Sequence, residues 1–299
     1  MSDGQAKRAD ESLAGAGYAL SAFSLWGLYP LYFKALSDVP AFEVLSHRVV
    51  WTVVFLFFVL LVMKRIKEVR GILADRKTLK LLTLSSILVS GNWLIFIWAI
   101  ANDRALEASL GYYINPLVSV ALGFFFLGER LSRWKTVAVA LAVTGVLFMI
   151  VQAGQIPWVA LSLSLLFAFY GLVRKVVPVG SFSGLFVETL VILPPFMGYL
   201  IYIEMTGTGA LGRHDLQTDI LLLLAGILTA TPLILFALAA KRLALSSVGF
   251  FQYITPTLQF LIAVFVFSEP FTFAHLITFG FIWLALSIYT ADTLLARNR

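Results

Sequence analysis

The chain has 299 residues, of which 60% are hydrophobic and only 13% are charged, and its formal net charge is +6 at pH 7. This number of charged side chains is too small to give a globule of this size a water-compatible surface. The composition therefore excludes a soluble protein and indicates an integral membrane protein. The absence of cysteine excludes disulfides, thiol catalysis and cysteine-based metal sites, and it leaves the redox compartment undetermined.

Long apolar runs, separated by short clusters of Lys, Arg, Gly and Pro, predict transmembrane helices, because about 20 apolar residues in a helix span a bilayer core. We predict ten such helices and no soluble domain. Their approximate bounds are 15–36, 41–63, 79–101, 107–127, 134–152, 156–176, 183–203, 217–240, 247–267 and 271–292. The first run could be a signal peptide, since Lys7 and Arg8 precede it. We interpret it as a retained helix, because it is long and continues into "WGLYPLYF" without a small-residue cleavage site.

Basic residues predict the orientation of these helices, since Lys and Arg accumulate in cytoplasmic loops. If the amino terminus is inside, 18 of the 22 Lys and Arg residues lie on the cytoplasmic side. Lys34, Arg104 and Arg213 then fall outside, and Arg48 lies within helix 2. Both termini are therefore expected in the cytoplasm, which requires an even number of crossings. The positive net charge reflects this bias and gives no reason to propose nucleic acid as a partner.

Two stretches of the chain resemble each other at an offset of 140 residues. The first reads "YINP" from Tyr113 and the second reads "YITP" from Tyr253, and each has a glutamate thirteen residues after its proline, Glu129 and Glu269. Weaker similarities join helices 1 and 6 and helices 2 and 7 in the same order. The chain therefore resembles two five-helix repeats.

A five-helix repeat crosses the membrane an odd number of times, so the second repeat must have the reverse orientation of the first. The predicted fold is an all-α integral membrane protein with ten transmembrane helices in two inverted five-helix repeats. The predicted divisions are a tail at 1–14, repeats at 15–152 and 153–292, and a tail at 293–299. Inverted repeats are typical of secondary transporters, which work by alternating access.

Several longer strings resemble one known family over about residues 15–292. They are "HRVVW", "GNWLIFIWA", "EASLGYYINPLVSVALG", "LGER", "FYGLVRK" and "GFFQYITPTLQF". They are similar to the RarD group of EamA-type proteins in the drug/metabolite transporter superfamily. The resemblance implies a bacterial inner-membrane protein with a fold similar to that of YddG-type amino-acid exporters, and the RarD name carries an association with chloramphenicol sensitivity. One departure is Ser268, where the first repeat has Gly128 before its glutamate, and this leaves the detail of that turn open.

Pro116 and Pro256 lie near the midpoints of predicted helices 4 and 9. A proline deletes one backbone hydrogen bond, and in lipid the carbonyl that it frees needs another partner. Each proline is either a fixed bend for packing or a hinge beside a cavity. Because the two positions match between the repeats, we predict hinges or a cavity wall.

Amides and aromatic residues near the membrane midplane are candidate substrate contacts. A pocket for a zwitterion with an apolar side chain needs polar and apolar contacts together, and Asn92 and Asn115 each stand beside aromatic residues. The predicted set comprises Trp26, Tyr29, Asn92, Trp93, Trp98, Tyr112, Tyr113, Asn115, Tyr170, Gln252 and Tyr253. Packing between helices is the alternative interpretation for each of them.

Helix 2 carries charged groups inside the membrane, which mark functional sites by default. Glu43 and His47 are four residues apart and share a helix face, and Arg48 lies about 10 Å below the outer helix end at 1.5 Å per residue. Either His47 titrates near neutral pH and links export to protons while Arg48 holds a substrate carboxylate, or the three residues form a network that fixes helix packing. Glu188 in helix 7 is the expected counterpart of this group.

No motif in the sequence indicates an enzyme. Histidine occurs only at 47, 214 and 275, and there is no P-loop, metal-ligand cluster or convergent Ser/His/Asp set. We therefore expect no catalysis and no metal or organic cofactor. The predicted function is export of small metabolites, amino acids including aromatic ones, with a drug permease and a membrane scaffold or lipid scramblase as alternatives. The expected partners are a small-molecule substrate and the lipid bilayer, with protons if export is coupled.

Overall fold

Every secondary-structure element in the described part of the chain is a helix. The computed structural model describes residues 3–128, 132–240, 242–243 and 251–297. Its elements in chain order are α1 (Asp3–Lys34), α2 (Ala41–Val62), α3 (Ile66–Ala74), α4 (Arg76–Ala101), α5 (Ala105–Leu127), α6 (Arg133–Ala153), α7 (Trp158–Val176), α8 (Ser181–Met205), α9 (Leu216–Ala240), α10 (Ile254–Leu261), a π-helical segment π1 (Ile262–Val266) and α11 (Phe273–Arg297). The predicted all-α class is confirmed.

Eight of these helices are long and apolar enough to cross a membrane: α2, α4, α5, α6, α7, α8, α9 and α11. The 32-residue α1 and the shorter α10–π1 stretch are not among them. The short helix α3 was not predicted, since it lies in the basic connection between predicted helices 2 and 3. Val69 and Ile72 bury its apolar face, and this explains why so short a segment is helical.

Predicted helix 9, at 247–267, is not continuous in the structure. Residues 247–250 lie outside the described residues, α10 begins only after a turn at Gln252 and Tyr253, and it changes to π1 at Ile262. Pro256 therefore lies in the first turn of α10, where the N–H that proline lacks would have had no helical partner. Pro116, in contrast, lies inside the continuous helix α5, as predicted.

The most extensive packing joins helices of the first half of the chain to helices of the second half. α1 packs on α9 and α10, α2 on α8 and α9, α4 on α7 and α8, α5 on α7 and α10, and α6 on α11. Two glycines allow especially close approach. Gly111 of α5 lies where an added Cβ would come within 2.7 Å of the Ala160 carbonyl oxygen of α7, and Gly226 of α9 lies directly against the backbone of Trp51 in α2. Small residues let membrane helices approach in this way.

The connections gather at two ends of the bundle, which we name the Glu269 end and the Asp75 end. At the Glu269 end, Lys34 pairs with Asp103 at 2.5 Å between Nζ and Oδ1. At the Asp75 end, the Ser183 hydroxyl donates to Glu68 Oε2 at 2.8 Å. The first end is the one expected outside the cell, and the second is the one expected in the cytoplasm.

Ser268 adopts the left-handed turn that its counterpart Gly128 adopts in the first half. Their φ angles are 54° and 66°, although a left-handed conformation costs a non-glycine residue roughly 1–2 kcal/mol. The departure at Ser268 therefore leaves the turn unchanged. Glu129, which follows Gly128, lies outside the described residues, so the structure offers no comparison with Glu269.

Candidate functional site

Arg48 of α2 is a buried cation in the middle of the bundle, with 6% of its surface exposed. Its Nε donates a hydrogen bond to Thr229 Oγ1 of α9 at 2.9 Å. Among the described residues, no carboxylate oxygen lies within 4.0 Å of its guanidinium nitrogens. A buried charge is normally paired, so an arginine without a carboxylate partner at this depth is a candidate site for an anionic group.

Aromatic rings take the place of a counterion around Arg48. Its guanidinium carbon lies 4.1 Å from the ring centre of Trp93 and 5.7 Å from the ring centres of Tyr29 and Phe33. The negative ring faces attract a cation, more strongly where water is excluded. These three rings give the site an apolar lining around one charged group.

Asn92 and Tyr112 extend the site with polar groups. The Tyr112 hydroxyl donates to Asn92 Oδ1 at 3.1 Å, and Asn92 Nδ2 donates to the Leu163 carbonyl of α7 at 3.0 Å. Asn92 precedes Trp93, whose ring contacts Arg48, so this pair lies next to the Arg48 contacts. The structure thus brings together five of the predicted site residues: Tyr29, Arg48, Asn92, Trp93 and Tyr112.

Neighbouring helices satisfy carbonyls that prolines leave without helical partners. The Tyr29 hydroxyl donates to the carbonyl of Leu228, which would otherwise accept from the residue at Pro232. The Trp26 carbonyl, freed in the same way by the proline four residues later, accepts from Gln259 Nε2 at 3.3 Å. Trp26 and Tyr29 therefore help to fix the helices around the site.

His47 does not join the Arg48 site. Its Nε2 lies 4.0 Å from Glu43 Oε1, which accepts a hydrogen bond from the Ala210 N–H at 2.6 Å. Glu43 and His47 line a separate cavity of about 340 Å³ towards the Glu269 end, between α2, α8 and the connection after α8. Consecutive helical residues point about 100° apart, so Arg48 faces the bundle interior instead. The three-residue network that we considered is limited to Glu43 and His47.

A second cavity, of about 380 Å³, lies beside the start of α10. Tyr253 and Thr257 line it with apolar neighbours, and the Tyr113 hydroxyl is 2.7 Å from Thr257 Oγ1. Gln252 lies in the preceding turn and is partly exposed. Tyr113, Gln252 and Tyr253 thus cluster on the α5–α10 side of the bundle, apart from the contacts of Arg48.

The other predicted residues lie elsewhere. Trp98 packs on Trp158 near the Glu269 end, with ring centres 5.0 Å apart. Asn115 Oδ1 accepts from the Ser119 hydroxyl at 3.2 Å, and its buried Nδ2 has no hydrogen-bond partner within the described residues. Tyr170 packs on Phe167 and interacts with Glu188.

Glu188, the expected counterpart of the α2 charges, forms its own buried pair. It is fully buried, its Oε1 accepts from the Ser85 hydroxyl at 2.5 Å, and Arg174 Nη1 lies 3.6 Å from the same oxygen. Sequence reasoning missed Thr229 and Phe33 at the Arg48 site. A threonine three residues before Pro232, in an otherwise apolar helix, was the signal that could have indicated Thr229.

Comparisons with known proteins agree with this architecture. Residues 13–151 match the model of the EamA-like transporter family. Protein RarD of Salmonella typhi is 46% identical over 97% of this chain and 99% of its own length. The chloramphenicol-sensitive protein RarD of Pseudomonas aeruginosa is 30% identical over 94% of this chain and 95% of its own. One solved crystal structure, only 20% identical, superposes with a TM-score of 0.56 over 96% of this chain and 99% of that one, which shows the fold alone.

These findings define the class as a multi-pass membrane transporter of the bacterial inner membrane. The chain belongs to the RarD group of the EamA-like transporter family, within the drug/metabolite transporter superfamily.

Proposed function

We propose that this protein is a secondary transporter that exports small metabolites, amino acids with aromatic side chains among them, by alternating access. Arg48 is the observation that carries the proposal, because its buried guanidinium has no carboxylate partner in the described part of the chain. A substrate carboxylate would pair with Arg48, and the rings of Tyr29, Phe33 and Trp93 would contact an apolar side chain.

The proposed fold has ten crossings, with α1 and the α10–π1 stretch added to the eight apolar helices. The packing supports two repeats. The equivalent helices of the two repeats are α1 and α7, α2 and α8, α4 and α9, α5 and α10, and α6 and α11. When each helix is replaced by its equivalent, the set of packed helix pairs described above stays the same. For example, α1–α9 becomes α7–α4. We further propose that both termini are cytoplasmic, and that Pro116 and the break before Pro256 are the hinges of the two halves.

A drug permease is the second candidate, because the Pseudomonas aeruginosa relative carries the description chloramphenicol-sensitive. An aromatic site around one cation suits several solutes, so a screen is the decisive experiment. Purified protein in proteoliposomes would be tested for uptake of labelled amino acids, chloramphenicol and nucleosides. We expect saturable flux of phenylalanine or tryptophan. Saturable flux of chloramphenicol alone would favour the permease, and no saturable flux of any solute would favour a scaffold or scramblase.

A further inference from the structure

Within the part of the chain that the structure describes, Arg48 brings one positive charge to its site, and no carboxylate lies within ion-pair distance of it. Two buried carboxylates of the described residues, Glu43 and Glu188, already have partners of their own. Glu43 lies on another face of α2 and accepts a hydrogen bond from the Ala210 N–H, and Glu188 is paired with Arg174. A substrate bound at Arg48 would therefore find a partner for a carboxylate but none for an ammonium group.

We propose that this site selects aromatic monocarboxylates, organic anions without an ammonium group, over the zwitterionic amino acids of the same shape. The inference rests on the proposed transport function and narrows its substrate class. In an α-amino acid the ammonium is attached next to the carboxylate. It would lie within about 4 to 5 Å of the Arg48 guanidinium and be repelled by it in a site of low dielectric constant.

The neutral acceptors around Arg48 do not remove this repulsion. Asn92 Oδ1 already accepts from the Tyr112 hydroxyl. Thr229 Oγ1 accepts from Arg48 and donates to the Ala225 carbonyl at 2.8 Å. The rings of Trp93, Tyr29 and Phe33 are already engaged with the guanidinium. A second cation would compete for the same ring faces.

One buried acceptor without a partner does lie on α10. Gln259 Oε1 has no hydrogen bond within the described residues, while its Nε2 is held by the Trp26 carbonyl. An amide oxygen satisfies a neutral donor but carries no full negative charge. A hydroxyl in place of the ammonium adds no second positive charge beside Arg48, so 2-hydroxy acids belong to the predicted class.

The test is a matched ligand series measured on the wild-type protein. L-Phenylalanine, L-phenyllactate, 3-phenylpropionate and phenethylamine share a phenyl ring and the two carbons attached to it. They differ in which of the carboxylate, ammonium and hydroxyl groups the second carbon carries. Binding would be measured by equilibrium titration in nanodiscs, at a pH where the carboxylates are ionised and both amines are protonated. We expect phenyllactate and 3-phenylpropionate to bind about tenfold more tightly than phenylalanine, a difference of about 1.4 kcal/mol, and phenethylamine to bind least.

Substitutions then assign the effect to Arg48. Arg48→Met should abolish carboxylate binding, and Arg48→Lys should weaken it while keeping the charge, since an ammonium cannot form the bidentate pair. Arg213→Met is the matched control, because this arginine lies at the Glu269 end in an exposed pair with Glu204. It should bind the series like wild type. The amount of folded protein is checked for each variant by thermal unfolding.

Tighter binding of phenylalanine than of 3-phenylpropionate would overturn the inference, as would carboxylate binding that survives Arg48→Met. Neither result depends on flux. If the carboxylates bind in the expected order but no solute is transported, the inference stands and the proposed transport function fails.

Discussion

Glu269 Oε1 accepts a hydrogen bond from the backbone N–H of Ala105 at 2.7 Å, across 164 residues of sequence. Its Oε2 accepts from the next N–H, that of Leu106, at 2.8 Å. These are free N–H groups of the first turn of α5, where a carboxylate is favoured. The left-handed turn at Ser268 and the bond from the Glu269 N–H to the Ala263 carbonyl position the side chain. One carboxylate thus ties the two halves of the chain together at the Glu269 end.

Glu269 predicts a pH dependence of stability. Burial raises the pKa of its carboxyl group and nearby Asp103 adds to this, while the N–H groups of Leu106 and Ala105 and the charge of Lys34 act in the opposite direction. Because the pKa in the folded protein exceeds the ordinary value, the contribution of this group is complete below the ordinary pKa of about 4.3 and is lost as pH rises through the raised pKa. The unfolding temperature of wild type should therefore fall relative to that of Glu269→Gln as the pH rises from about 4 to 7.

The control for this experiment is Asp38→Asn, which removes an exposed carboxyl group at the same end of the bundle. This variant shows how much the profile changes when a carboxyl group other than Glu269 is removed at this end. Parallel profiles for wild type and Glu269→Gln would show that this carboxyl group has the same pKa in the folded and unfolded protein, against the prediction.

The close contact at Gly226 leaves no room for a side chain between α2 and α9. A methyl group there would collide with the Trp51 backbone in α2, so Gly226→Ala should separate α2 from α9 and lower the free energy of unfolding by about 1–3 kcal/mol. Gly198→Ala is the control, since an added Cβ at Gly198 meets no atom within 4 Å, and it should not be destabilised. Thermal unfolding in detergent compares the two variants. Equal stability would contradict the close contact.

The sequence predicted the positions of the helices better than it predicted which side of each helix faces the bundle interior. Apolar length was enough to locate the long helices, because the membrane imposes that length. α2 is apolar around nearly its whole circumference, so its sequence could not show that Arg48 faces the interior while His47 faces α8. The pairing of Arg48 with Thr229 joins residues 181 positions apart and depends on how α2 crosses α9, which no local pattern encodes.

The helix 9 region illustrates a second limit of the sequence. Its continuous apolar run predicted one helix with a bend or hinge at Pro256, whereas the structure has a turn, a short α-helix and a π-helical segment there. Apolar length measures the stretch that can cross the membrane. It does not report where backbone hydrogen bonding changes within that stretch.

The proposed orientation predicts which loops face outside. Single cysteines at Asp38 and Thr208, which are exposed at the Glu269 end, should react with an impermeant maleimide added to intact cells. A cysteine at Asp75, exposed at the opposite end, should react only after the membrane is opened. The chain has no native cysteine, so the background is clean. External labelling at Asp75 would refute the orientation.

The proposed hinges predict opposite effects of two matched substitutions. Pro116→Ala restores a hydrogen bond inside α5, and Pro256→Ala allows α10 to extend towards Tyr253. A restored bond of about 1 kcal/mol changes the ratio of two open states several-fold. Cysteine accessibility on the two sides of the midplane should therefore shift in opposite senses. Shifts in the same sense, or none with normal transport, would identify the prolines as static bends.

The central claim is that Arg48 holds the carboxylate of a transported substrate among the rings of Tyr29, Phe33 and Trp93. Counterflow of labelled phenylalanine and 3-phenylpropionate into proteoliposomes tests it most directly, with wild type, Arg48→Met and Arg213→Met at equal amounts of folded protein. The account predicts saturable counterflow for wild type and for Arg213→Met, and loss of the saturable component for Arg48→Met. Unchanged saturable counterflow in Arg48→Met, or none in wild type, would contradict it.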